Sequence, residues 1–153
     1  MSGPVYADEA VFVTAGSHLR ALRSDDGSEQ WTTSLPGGPI TDMAGTGDHA
    51  HTGGFHGYVG PKNATSGEGL WEANVGPPVK IIAVDDKRVS ISTTHASGAQ
   101  IAAFSLSGDK QWTTDGAGGL AVADAGYIAQ PSTTRADDRG DGTERWSLSR
   151  SSE

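Results

Sequence analysis

Four times in this chain a small residue is followed six positions later by glycine and ten positions later by tryptophan. The sets are Ala21–Gly27–Trp31, Pro61–Gly67–Trp71, Ala102–Gly108–Trp112 and Ala136–Gly142–Trp146. This frame takes in every tryptophan of the protein. With 22 glycines among 153 residues, four such glycines would coincide by chance roughly 4 times in 10,000. The chain is therefore an internal repeat, and whatever it folds into must be built four times over.

Each repeat glycine follows Asp26, Ser66, Ser107 or Asp141. Asp-Gly and Ser-Gly pairs suit tight hairpins, because glycine adopts positive φ without a Cβ clash. One strand precedes each turn and the tryptophan-bearing strand follows it. A large ring at the same place in every repeat is a packing device, since burying an indole removes much apolar surface from water. Short apolar or alternating runs complete four strands per repeat. They lie at 4–7, 10–14, 19–23 and 29–33; 40–44, 49–53, 58–63 and 70–74; 80–84, 88–93, 100–104 and 110–114; and 120–123, 127–130, 133–138 and 143–148. No apolar stripe of helical period runs to useful length, so helices are not expected.

The frame resembles the tryptophan-docking motif of the quinoprotein (PQQ-dependent) dehydrogenase β-propellers and of the wider PQQ-like repeat family. That motif has Ala at position 1, Gly at 7 and Trp at 11, usually with Asp at 3 and Thr at 6. Ala21, Ala102 and Ala136 match the first position and Pro61 departs from it; of the third positions only Asp138 is an aspartate. The resemblance implies an all-β β-propeller of four-stranded antiparallel blades, about four of them, at 3–34, 38–75, 78–115 and 118–149. Family rings commonly close with eight blades, so the chain is expected to be half a ring or a fragment. It then needs self-association or a protein partner to cover its end blades. Trp31, Trp71 and Trp112 are expected to lie mostly buried between blades, with Trp146 more exposed. Enzymes of the family hold PQQ between a tryptophan and a disulfide of adjacent cysteines, with calcium alongside. Here there is no cysteine, and all four tryptophans belong to the docking frame. No cofactor and no catalysis are therefore expected, and a binding or assembly scaffold is the leading reading. The alternative is a remnant or subunit of a PQQ-dependent dehydrogenase, holding PQQ and calcium.

A metal-binding module is a third reading, on Asp48-His49-Ala50-His51 and His56. Residues two apart on a strand share a face, so His49 and His51 could point together while His56 approaches across a turn. Asp85-Asp86 reads as a turn. The charged stretch 131–142 reads as a solvated loop. A net charge of −8, with thirteen aspartates and four lysines, excludes nucleic-acid binding by phosphate neutralisation. The same balance resembles that of salt-adapted proteins. The first nine residues carry no basic leader or long apolar run, so neither a signal peptide nor membrane insertion is expected. Family members are often exported, but the residues themselves specify no compartment.

Overall fold

The structure, a computed structural model, describes residues 3–94, 98–116, 119–122, 126–129 and 133–149. It holds sixteen strands among those residues, in four antiparallel sheets of four, each sheet in sequence order. Blade 1 is Val5–Ala7 (β1), Ala10–Ala15 (β2), His18–Arg23 (β3) and Glu29–Ser34 (β4). Blade 2 is Ile40–Thr46 (β5), His49–Gly54 (β6), Tyr58–Asn63 (β7) and Ala73–Asn74 (β8). Blade 3 is Val79–Val84 (β9), Arg88–Thr93 (β10), Gln100–Ser105 (β11) and Lys110–Asp115 (β12). Blade 4 is Gly119–Val122 (β13), Gly126–Ala129 (β14), Thr133–Asp137 (β15) and Glu144–Ser149 (β16). The first strands β1, β5, β9 and β13 neighbour one another along the inner side. This is the all-β propeller arrangement that the repeat implies.

Side chains alternate across blade 1, while both faces of the central strands of blades 2 and 3 are covered. In β3, Leu19 and Ala21 are buried between exposed His18 and Arg20. Phe12, Leu19 and Ala21 of blade 1 meet Ile40, Met43, Ala50 and Ala64 of blade 2 in one core. Val59 of blade 2 meets Val79, Ile82, Ile91, Ala102 and Phe104 of blade 3 in the next. Polar bonds cross the second seam as well. The Thr41 hydroxyl donates to the Val79 carbonyl at 2.6 Å, and the Ile82 amide donates to the Asp42 carboxylate at 2.8 Å.

Register refines two sequence readings. The fourth strand of blade 2, expected at 70–74, is reduced to Ala73–Asn74. Pro61 stands where its partner strand needs an N–H, and a proline has none to give the ladder. In blade 3 the residue opposite the tryptophan is Ala103, not Ala102. The Gly108 amide bonds the Ser105 carbonyl three residues back, whereas Gly27, Gly67 and Gly142 bond Arg23, Asn63 and Asp138 four residues back. That shorter turn moves the docking position by one, and Ala102 faces blade 2 instead.

Candidate functional site

The docking frame builds the same joint at every inner seam. Trp31 Nε1 donates to the Ala64 carbonyl at 2.8 Å, Trp71 Nε1 to that of Leu106 at 2.8 Å, and Trp112 Nε1 to that of Arg139 at 2.9 Å. Each acceptor lies three residues after the docking position of the following blade, counting from Pro61, Ala103 and Ala136. Each indole also lies on that blade's turn glycine. A Cβ added at Gly67, Gly108 or Gly142 would come within 2.8, 2.7 or 2.6 Å of the ring. Trp31 and Trp71 further pack against Phe12 and Phe104, with ring centroids 5.8 and 5.9 Å apart. These three tryptophans are mostly buried, as expected, and Trp146 is the more exposed at 48%. The rings sit at the outer rim of the seam, where water still reaches one edge.

A pair of substitutions isolates this contact. Gly27 and Gly67 share nearly the same φ, 71° and 75°, but a Cβ at Gly27 meets nothing within 4 Å. Both alanine variants carry the left-handed backbone strain of about 1–2 kcal/mol. Gly67→Ala should lose a further 1–3 kcal/mol or so from the overpacked indole. Chemical denaturation of the two variants measures the difference, and equal losses would show that the ring does not rest on Gly67.

The histidines do not converge. His49 Nδ1 lies 2.7 Å from the Asp48 carboxylate, and the His49 and His51 rings are 6.3 Å apart on one strand face. His56 stands edge-on to Phe55 at the far end of β6, beyond Gly54. Among the described residues no three histidine or acidic side chains form a metal-ligand set. His51 has another character: it is 3% exposed and takes the place in its blade that Phe12 takes in blade 1. Burial, with His49 adding to it, pushes the imidazole down to about 4. Its Nε2 faces the Thr46 hydroxyl at 3.4 Å and its Nδ1 has no partner. Beside it a small cleft of about 80 Å³ is lined by Pro61, Leu70 and Leu106 among others.

The charged stretch 131–142 is not a solvated loop over its described part. Residues 133–137 form β15, while 131 and 132 lie outside the described residues. Asp137 is 1% exposed and pairs with Arg135 at 3.1 Å. Burial raises its carboxyl pKa, and Arg135 works against that rise. Arg139 crosses the seam to Asp85 at 3.3 Å and Asp86 at 3.4 Å. The turn read at Asp85-Asp86 is present, with Asp85 accepting from the Lys87 and Arg88 amides. It is also the anchor for blade 4.

A second surface, missed by the sequence reading, lies on the face where the chain crosses from blade to blade. The β6–β7 loop carries Phe55, 51% exposed. Its backbone is tied on both sides: the Phe55 amide to the Pro39 carbonyl at 2.9 Å, His56 to Gly37 at 3.2 Å, and Val75 to Gly57 at 2.9 Å. Phe55, His56, Gly76, Pro77 and Pro78 line a cleft of about 460 Å³. At the preceding seam Thr14, Gly16, Pro39 and Thr41 help to line one of about 320 Å³. The one signal in the sequence is the proline-glycine content of the two crossings.

Solved structures share this fold. BamB from Moraxella catarrhalis matches with a TM-score of 0.77 at 21% identity, over 99% of this chain and 53% of that one. The quinohemoprotein alcohol dehydrogenase of Comamonas testosteroni matches with a TM-score of 0.81 at 14% identity, over 97% of this chain and 34% of that one. The computationally designed Ika8 protein matches with a TM-score of 0.81 at 17% identity, over 95% and 48%. The chain thus spans about half the length of the first and third, and a third of the second. No curated protein matches it in sequence. The family described as outer membrane protein assembly factor BamB matches residues 15–153, and the chain belongs to that family of PQQ-like β-propeller repeats.

Proposed function

We propose that the chain is a non-catalytic scaffold segment whose crossing face binds another protein. The observation that carries this is Phe55, an aromatic held half in solvent by a loop hydrogen-bonded to the crossings on both sides. A rigid, exposed aromatic beside proline-lined clefts loses little conformational freedom on binding, which favours a protein contact. The assembly role in the family's description agrees with that reading. So does the use of the tryptophans: three indoles are engaged with the carbonyl and glycine of the next blade. That leaves them unavailable as the floor of a quinone pocket.

Photo-crosslinking tests it. A benzoylphenylalanine at position 55 should capture a discrete protein partner, while one at exposed Thr143, on the hairpin side, should not. Equal capture from both positions would count against the surface. Dye-linked alcohol oxidation after reconstitution with PQQ and calcium would overturn the scaffold reading in favour of a dehydrogenase segment.

A further inference from the structure

The crossing face around Phe55 differs from the rest of the molecule in charge. Its loops between blade 1 and the start of blade 3 are residues 16–17, 35–39, 55–57 and 75–78. None of these residues is Asp, Glu, Lys or Arg. With 20% of the chain charged, about three charges would fall there by composition alone. The hairpin turns at the opposite ends of the strands are the reverse. Turns 8–9, 24–28, 47–48, 85–87 and 106–109 hold eight acidic residues against one basic residue, Lys87. The negative charge therefore gathers on the hairpin side, away from Phe55.

The Phe55 cleft is also poor in hydrogen-bond donors. The amides of Phe55, His56 and Val75 are spent on the carbonyls of Pro39, Gly37 and Gly57, and that of Gly57 on Gly54 at 3.0 Å. The Gly76 amide donates to the Asn74 side chain at 2.7 Å, whose own Nδ2 donates to the His56 carbonyl at 3.2 Å. Pro77 and Pro78 have no N–H to offer. A carboxylate or phosphate brought here would lose its water and gain no donor, and an ammonium or guanidinium would meet no carboxylate. What the cleft offers is apolar contact. The half-exposed Phe55 ring stands edge-on to His56 with centroids 5.4 Å apart, facing a space of about 460 Å³ walled by Pro77 and Pro78.

We propose that the partner seated at Phe55 is a protein segment with no charged side chain in the contact, which places a large aliphatic or aromatic side chain in the cleft beside Pro77 and Pro78. This deepens the crossing-face reading above and rests on it. The apolar area buried sets the strength of the association, and the acidic hairpin side takes no part in it.

Random twelve-residue peptides displayed on phage are the probe, selected on the full chain and retained where Phe55→Ser abolishes their binding. The retained peptides should carry a large apolar residue and be depleted in Asp, Glu, Lys and Arg. Their affinity for the parent chain should change by less than about twofold between 50 and 500 mM salt. His56→Asp and His56→Lys, with native near-ultraviolet circular dichroism, should both weaken them by about tenfold, because a charge of either sign is buried unpaired. Retained peptides rich in one sign of charge, a steep salt dependence, or tightening by either histidine variant would overturn the uncharged contact and leave the Phe55 surface standing. Phe55-dependent binding to phosphatidylcholine vesicles in place of peptides would overturn it in favour of a lipid surface. No Phe55-dependent peptide and no vesicle binding would remove the surface itself.

Discussion

Trp71→Ala is expected to lower the unfolding free energy by about 3–5 kcal/mol, with the value nearer the lower end because water still reaches one edge of the ring. The substitution removes the bond to the Leu106 carbonyl, the stack on Phe104 and the cover over Gly108 in one step. Those three contacts all join blade 2 to blade 3, so the loss falls on a seam rather than on either sheet. Urea denaturation measures it. A loss below about 1 kcal/mol would show that the indole does not couple the blades. Trp146→Ala, with its ring already half in water, should stay within about 1 kcal/mol of the parent.

Acid should loosen the same seam through His51. Its folded pKa is about 4, against 6.5 for an unperturbed imidazole. The unfolded state therefore takes up the proton first. The stability held by the neutral ring is complete above pH 6.5 and is lost as pH falls from 6.5 to 4, on the order of 3 kcal/mol in all. Below that range both states are protonated and this group adds nothing further. Asp26 and Asp141 act lower still: their hydroxyl and amide partners at Ser28 and Thr143 hold both carboxyls below the usual range. Their contribution is present above pH 3.8 and is lost below it. His51→Phe, which restores the residue type of blade 1, should flatten the profile between pH 6.5 and 4. Melting temperatures at pH 7, 5.5 and 4 decide this, and parallel profiles for parent and variant would assign the acid effect elsewhere.

The sequence shows clearly what depends on a single backbone demand. A turn needing positive φ and no Cβ beneath a ring admits only glycine, so the glycine-to-tryptophan spacing is visible without any structure. The docking position of blade 3 was not legible, because Ala102 and Ala103 are the same residue and a turn shorter by one leaves no mark between them. Nor was the role of His51. A histidine among glycines reads as solvated, and its burial is imposed by blade 3: a Cβ at Gly53, two residues on, would collide with Val79 and Ile82. The charged stretch misled for a similar reason. Arg139 finds its carboxylates at Asp85 and Asp86, in another blade, and a local window sees only an uncompensated run. Phe55 left no signal beyond the proline and glycine of the two crossings, since exposure at a loop tip depends on how both crossings hold it.

The direction of the joints has a consequence for how the chain is made. Trp31 waits for the carbonyl 33 residues later, Trp71 for one 35 later and Trp112 for one 27 later. At a ribosome adding about 5–20 residues per second, each indole stays uncovered for roughly 1–7 s after it is synthesised. No blade is sealed by its own sequence. Each of the first three emerges with its ring bare and is closed by its successor, so their maturation runs from the amino end, one blade behind translation.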